Sequence, residues 1–144
     1  MNYQPELLPE HRSPKPHPMK NPSADMLVQE ADKLVRFADE EIQRAEEDVI
    51  THSVCFNARQ SIINYLASFL HRQGVEPVKP VTMAGLLEQC QDIDGRFNLI
   101  DISEFGCKHD DEPEAYCMGV DKVADCLRVA KQTRAIAVEA APAY

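Results

Sequence analysis

The sequence predicts an all-α protein: an antiparallel, up-and-down bundle of four helices whose third helix is broken, preceded by a disordered N-terminal arm. Three observations predict this fold. Apolar residues recur at spacings of three and four, glycine or proline separates the periodic stretches, and no segment alternates apolar and polar residues as strands do. A chain of 144 residues can bury one core. We therefore expect one domain, 23–140, between the arm, 1–22, and a short C-terminal tail, 141–144.

The N-terminal arm holds six of the ten prolines in the chain. Proline removes a backbone donor and interrupts helices, and the segment has too few apolar residues to form a core. We therefore expect the arm to be disordered, and its deletion to leave the thermal stability nearly unchanged.

The first helix is predicted to begin after Ser23, a suitable N-cap, and to continue to Val49 or Ile50. Its inward side is a heptad seam in which β-branched residues alternate with alanines: Val28, Ala31, Val35, Ala38, Ile42, Ala45 and Val49. Small alanine side chains allow a partner helix to approach closely. The acidic outer side of this helix is predicted to be a solvated surface.

The second helix is predicted to be the central one. Thr51 or Ser53 can cap it, and it should end near Gln73, because Gly74 and Pro77 follow. It carries two adjacent apolar stripes, one of Cys55, Ala58, Ile62, Tyr65 and Phe69, the other of Phe56, Ile63, Leu66 and Leu70. Such a broad apolar surface predicts neighbours on two sides.

Thr82 is the predicted N-cap of the third helix, whose inward residues are Met83, Leu86, Leu87, Cys90 and Ile93. Asp94 and Gly95 break this pattern, and a second helical piece is expected to contain Phe97, Ile100 and Phe105. After a polar loop, 106–113, the last helix should span 119–139 with Val120, Val123, Leu127 and Ala130 as its core stripe.

Composition restricts the compartment and the partners. No run of eighteen apolar residues is present, which argues against a membrane span. The five cysteines are odd in number and include no CxxC pair, so reduced thiols in a cytoplasmic protein are expected. The net charge is −9, and the arm is slightly basic, so the predicted domain is strongly acidic and a poor match for nucleic acid or anionic lipid.

The order of two long helices, a shorter broken helix and a final helix after a polar loop resembles the HEPN domain family. The residues that carry the resemblance are Ala58-Arg59-Gln60, Tyr65-Leu66, Leu70, Gly74, the stretch from Thr82 to Cys90, and Phe97. They are similar to the second helix, glycine stop and third helix of that family, over residues 25–138. The resemblance implies a homodimer. Some members are ribonucleases or toxins, and others pair with a small nucleotidyltransferase or have no assigned activity.

Ribonuclease members of the family carry an arginine followed four to six residues later by a histidine. The match here, Arg12 and His17, lies in the proline-rich arm, and we interpret it as a coincidence. In the region where the family has this pair, Lys108 and His109 precede three carboxylates and follow no suitably spaced arginine. His109 and Lys108 are therefore the candidates for catalysis, although a solvated loop histidine is the favoured interpretation.

His52 allows a comparison with histidine phosphotransfer domains, which are also four-helix bundles. In those domains a lysine and a glycine follow the phosphorylated histidine by three and four residues. Here these positions are Cys55 and Phe56, so we favour a His52 that flanks the start of the second helix. Phosphotransfer stays an alternative function.

Neither a metal nor a cofactor is predicted. A di-iron bundle would need a histidine three residues after a glutamate on two helices, and no glutamate of this chain has one. The acidic cluster that contains His109 is consecutive in sequence, and consecutive loop residues rarely close a metal site.

Polar residues on the second helix are the remaining candidates. Arg59, Gln60 and Asn64 could line a small ligand pocket or form inter-helix hydrogen bonds, and we favour the second interpretation. The predicted function is a non-catalytic, self-associating module that, as the resemblance implies, also binds a nucleotidyltransferase-type partner or a nucleotide. A divergent ribonuclease that uses His109 and a phosphotransfer bundle that uses His52 are the alternatives.

Overall fold

The computed structural model describes residues 22–103 and 119–140. The described residues form four α-helices: α1 (Pro22–Ile42), α2 (Thr51–Arg72), α3 (Met83–Ile93) and α4 (Val120–Ala140). Two short 3₁₀ segments, Glu46–Asp48 and Gly95–Leu99, follow α1 and α3. No strand occurs in the described ranges, and none of their helices combines the length and apolar content that a bilayer crossing requires. The predicted all-α class is confirmed.

Helix α2 is the centre of the fold, as predicted, because it packs against α1, α3 and α4. Asp25 of α1 lies beside Arg72 and Asp32 lies beside Tyr65, so α1 and α2 run in opposite directions. Ala38 and Val54 share a hydrophobic cluster with residues of the first turns of α4, including Val123. Helix α4 therefore starts at the end of the molecule where α2 starts.

The larger hydrophobic cluster lies around the C-terminal half of α2. Phe69 and Phe97 are almost completely buried there, with ring centroids 4.7 Å apart and planes tilted by 59°. Tilted aromatic pairs of this kind contribute beyond their buried area. The contact fixes the 3₁₀ segment that follows α3 against the C-terminal half of α2.

The first helix ends earlier than predicted, at Ile42 and not at Val49 or Ile50. The acidic residues near this end oppose the negative C-terminal end of the helix dipole. The Glu41 carboxylate accepts a hydrogen bond from the Ile50 backbone N–H at 2.7 Å, which closes the turn to α2. Ala45 is consequently exposed, whereas Val49 is half-buried against the smaller cluster.

The predicted caps have different outcomes. Thr82 caps α3 as predicted, because its Oγ1 accepts a hydrogen bond from Gly85 N–H at 2.9 Å. Gly74 has φ of 72°, a conformation that favours glycine, and stops α2 as predicted. The caps predicted at Ser23 and at Thr51 or Ser53 are wrong. Helix α1 already begins at Pro22, and α2 follows Ile50, whose carbonyl accepts from both the Ser53 and Val54 N–H groups.

The broken third helix is confirmed. Asp94 separates α3 from the 3₁₀ segment and caps that segment through the Arg96 N–H, and Phe97 and Ile100 are buried. Ile93, predicted to point inward, is 42% exposed because it is the last residue of α3, where the chain turns away. The predicted span of α4 is confirmed within one residue, and its stripe is buried except for half-buried Val120. Phe105 and the predicted loop 106–113 lie outside the described residues.

Candidate functional site

A polar cluster joins α1, α2 and α4 at the edge of the core, where Tyr65 is buried and the side chains of Asp32 and Arg134 are 35% and 47% exposed. Tyr65 donates a hydrogen bond to Asp32 Oδ1 at 2.5 Å, and Arg134 donates to both carboxylate oxygens of Asp32, at 2.7 and 3.2 Å. Two-pronged arginine–carboxylate pairs are among the stronger polar contacts in proteins. The cluster, which we call the three-helix clamp (Asp32, Tyr65 and Arg134), had not been predicted from the sequence.

The pKa values in the three-helix clamp indicate a structural role. Burial acts to raise the pKa of Asp32, but the hydrogen bonds from Arg134 and Tyr65 outweigh burial and hold it below its ordinary value. Burial and the nearby Asp32 carboxylate raise the pKa of Tyr65. At neutral pH Asp32 is therefore ionised and Tyr65 protonated. Neither group is poised to exchange a proton near neutral pH, as a general acid or base would need to be.

The buried thiol of Cys90 is also a poor candidate for chemistry. Its Sγ lies 3.6 Å from the Leu66 carbonyl oxygen, and burial raises the pKa of Cys90 to about 12. A thiol with such a pKa stays protonated at neutral pH, and the thiolate is the reactive form.

The outward side of α2 presents a different surface, which we call the open face: Phe56, Arg59, Gln60, Ile63 and Ala67. Their spacing of three and four residues puts them on one side of the helix. Phe56 is 62% exposed, and the other four residues are partly exposed. The sequence had placed Phe56 in a buried apolar stripe. That expectation is wrong, because α3 contacts the C-terminal half of this stripe, where Leu66 and Leu70 are buried.

Arg59 is the unusual residue of the open face. Its Nη1 atom is buried and has no hydrogen-bond partner. Its side chain also makes no ion pair with any residue in the described part of the chain. Arg72 Nη1 is likewise buried without a hydrogen-bond partner, but Arg72 Nη2 lies 3.9 Å from an Asp25 carboxylate oxygen. Four other arginines also lie within 4 Å of a carboxylate: Arg44, Arg96, Arg128 and Arg134. Buried polar groups are usually satisfied, so Arg59 calls for an acceptor from outside the described fold.

The other two polar candidates contact each other. Gln60 Nε2 donates to Asn64 Oδ1 at 3.4 Å, and Asn64 is only 9% exposed. This hydrogen bond lies within α2 and therefore does not fix the register between helices. Arg59, Gln60 and Asn64 thus lie together on one helix, as their spacing requires, and their role in ligand binding stays a prediction.

The open face is flanked by two different features. At its C-terminal end a cleft of about 370 Å³ is lined by Leu27, Ala67, His71, Gly74, Val75, Glu76 and Pro77. In the chain, its N-terminal end is preceded by Ile50, which is 55% exposed, and by the exposed acidic segment Glu46–Asp48. Acidic, apolar and basic groups therefore follow one another along the chain from Glu46 to Arg59.

The described residues give no further support to the two catalytic alternatives, phosphotransfer and RNA cleavage. His52 is exposed as the second residue of α2, with the Cys55 side chain buried three residues later, and its role in phosphotransfer stays a prediction. His109 and Lys108 lie outside the described residues. Within residues 22–103 and 119–140, no three histidines, cysteines or carboxylates are grouped so that they could hold a metal ion.

No protein-family model matches the sequence, and no curated protein or solved structure is significantly similar to it. The HEPN resemblance therefore stays a prediction, and the function has to be inferred from the surface of the molecule itself.

Proposed function

We propose that this protein is a non-catalytic helical interaction module that self-associates through the open face of α2. One observation carries the proposal: an aromatic side chain that is 62% exposed lies one turn from an arginine with no described partner. Aromatic residues and arginines dominate the binding energy of protein interfaces. A partner can supply hydrogen-bond acceptors to polar groups that have none in the described fold. It can also remove exposed apolar side chains from water.

Other apolar side chains are exposed on α1 and just before α2. Ile50 precedes α2, and Met26 and Phe37 of α1 are 66% and 48% exposed. Complete burial of one such side chain contributes roughly 1.5–3 kcal/mol. In a two-fold dimer each contact is made twice, because the same patch is used by both copies. A few such side chains therefore supply the energy needed to offset the loss of translational and rotational freedom.

The polar groups of the described fold support a non-catalytic role. Three groups with shifted pKa values, Asp32, Tyr65 and Cys90, are occupied in the three-helix clamp or buried in the core. Perturbed pKa values mark catalytic groups only when the groups can reach a substrate. These three groups take part in contacts between helices, and the open face carries an arginine, an amide and apolar side chains.

Sedimentation of the full chain at micromolar concentration tests the proposal. The chain mass is 16.2 kDa, and we expect a species of twice that mass. Phe56→Ser should weaken the dimer at least tenfold, because it removes the largest exposed apolar group of the open face. Leu99→Ser is the matched control, since Leu99 is 67% exposed but lies on the 3₁₀ segment after α3.

Two results would contradict the proposal in different ways. A wild-type protein that is monomeric at this concentration would remove self-association. A dimer that responds to Leu99→Ser and not to Phe56→Ser would place the interface at the 3₁₀ segment after α3 and not at the open face.

A further inference from the structure

We infer that Arg59 of one copy forms ion pairs with the acidic segment Glu46–Asp48 of a second copy, in a two-fold antiparallel contact between two α2 helices. This inference rests on the proposed self-association and names the charged contact that gives it a register. The contact would be made twice, since a two-fold interface is self-complementary.

In a single copy, the Arg59 guanidinium has a donor atom that no described residue accepts from. Its Nη1 atom is shielded from solvent and has no acceptor, while the residue as a whole is partly exposed. A guanidinium remains protonated in proteins and presents five N–H donors that fit a carboxylate. An acceptor that approaches the exposed part of Arg59 would both neutralise the charge and satisfy donors that the fold leaves unused.

The acidic segment Glu46–Asp48 of the second copy is the source of that acceptor. Glu46, Glu47 and Asp48 are consecutive and exposed, and their side chains form no ion pair with any residue that the structure describes. They lie just before α2, on the opposite side of Phe56 from Arg59. From Glu46 to Arg59 the chain is therefore acidic, then apolar, then basic, an order that is complementary to its own reversed copy.

In the proposed contact, two antiparallel α2 helices cross at Phe56. A residue three positions after Phe56 in one copy then lies opposite the residue three positions before it in the other. Arg59 is accordingly opposite Ser53, and the helix start at Thr51 is only about 3 Å further along the axis at 1.5 Å per residue. The long arginine side chain extends along this axis toward the acidic segment, while Phe56 and Ile50 pack between the two charged regions.

The net negative charge of the chain opposes the association of two copies. Two chains that each carry a net charge of −9 repel one another. A dimer therefore needs its few cations placed against carboxylates of the other copy. On the open face of α2, Arg59 is the cation available for that contact.

Charge reversal tests the inference in the full-length protein. Arg59→Glu alone, and the triple variant Glu46→Lys, Glu47→Lys, Asp48→Lys alone, should each weaken the homodimer at least tenfold. When the two variants are mixed, both ion pairs of the heterodimer again join opposite charges. We therefore expect a heterodimer with an affinity near that of the wild-type dimer, measured by sedimentation with one variant fluorescently labelled.

Control variants separate this contact from general effects of charge and folding. Glu88→Lys with Asp92→Lys makes the net charge less negative, as the triple variant does, at exposed positions of α3, and should leave the homodimer affinity within about twofold. Arg59→Gln should fold and leave the thermal stability of dilute monomer unchanged or higher, because it removes a charge that has no partner among the described residues. A large loss of stability in Arg59→Gln would show that Arg59 serves the fold, and would overturn the inference.

The outcomes distinguish this inference from the proposed function. If wild type is monomeric, both are wrong. If wild type is a dimer that Arg59→Glu leaves unchanged, or if mixing restores nothing, the charged contact is wrong and self-association stands. If inorganic phosphate binds wild type but not Arg59→Gln, while the triple variant dimerises normally, Arg59 serves a small oxyanion and the inference is overturned.

Discussion

The two sides of helix α2 differ in how their polar and aromatic groups are satisfied. On the inward side the Tyr65 hydroxyl donates to Asp32, and Phe69 packs against Phe97 with almost no exposure. On the open face Phe56 is 62% exposed and the Arg59 side chain has no partner in the described structure. Both sides carry aromatic and charged residues, so composition alone does not separate them.

The comparison of the two sides separates the part of α2 that the fold requires from the part that it does not. Three helices meet at the inward side, and removal of any contact there disturbs packing between elements. The N-terminal half of the open face is free of such a neighbour within the described residues, because α3 covers Leu66 and Leu70 nearer the other end. Residues that the fold does not need, and that are unfavourable in water, are those for which a binding role is the better explanation.

Two phenylalanines of α2 give the largest expected contrast. Phe69→Ala should lower the free energy of unfolding by about 3–5 kcal/mol, because it leaves a cavity between α2 and the Phe97 ring. Phe56→Ala should change it by less than about 0.5 kcal/mol in dilute monomer, as expected for an exposed position. Urea unfolding at a concentration well below the dimer dissociation constant measures both values. A similar loss for the two variants would show that Phe56 is covered by the fold itself, and the contrast between the two sides would disappear.

The three-helix clamp should be visible in the pH dependence of stability. Since the pKa of Asp32 is lowered in the folded state, its contribution is fully present above its unfolded value of about 4. That contribution is lost as the pH falls through the lower, folded pKa. Asp32→Asn should therefore reduce stability at pH 7 by about 1–2 kcal/mol, a value discounted because the Asp32 side chain is 35% exposed. Its unfolding free energy should also fall less steeply in acid than that of wild type.

Asp39 provides a matched control for this experiment. It lies on the same helix and pairs with Lys131 of α4 at 2.9 Å, and these two side chains are about as exposed as Asp32 and Arg134. No third residue of the described ranges joins this pair. Asp39→Asn should cost at most about 0.5 kcal/mol. Equal losses from the two variants, with equal pH dependence, would show that the three-helix clamp is no stronger than a surface ion pair.

The sequence allowed most of the fold to be predicted, because buried helical faces repeat with the helical period. Ala31, Ala38 and Val123 were assigned to the core by spacing alone, and all three are buried. The end of α1 was misplaced because the apolar spacing continues to Val49, whereas the local balance of charge and the Glu41 contact with Ile50 end the helix earlier. Spacing reports which side is apolar and does not report competing local hydrogen bonds.

The candidate site was less predictable, since it depends on which elements cover one another. Phe56 and Leu70 belong to the same apolar stripe, and only the position of α3 makes one exposed and the other buried. The three-helix clamp left a weak signal: Asp32 and Asp39 are seven residues apart on α1, and Lys131 and Arg134 are three apart on α4. Such complementary spacing identifies a pairing only after the two helices are known to be neighbours.

The smallest expected effect concerns the amide pair of the open face. Gln60→Ala should change the free energy of unfolding by less than about 0.5 kcal/mol, because its hydrogen bond to Asn64 is long, at 3.4 Å, and lies within one helix. Alanine is also the better helix former, which partly offsets the lost bond. Asn57→Ala is the matched control, since Asn57 donates to Ser53 four residues earlier at 3.5 Å.

Stability and dimer affinity should be measured together for the two amide variants, Gln60→Ala and Asn57→Ala. Gln60 lies one turn from Phe56 on the open face, so Gln60→Ala should weaken the dimer severalfold while stability stays almost constant. Asn57→Ala lies toward the edge of that face and should leave the dimer affinity within about twofold, as is usual for side chains outside the centre of an interface. A loss of more than about 1 kcal/mol of stability in Gln60→Ala would mean that its amide is held by the fold, as a buried and satisfied group is. The open face would then end at Arg59, and the interface would have to be sought nearer Ile50 and the start of α2.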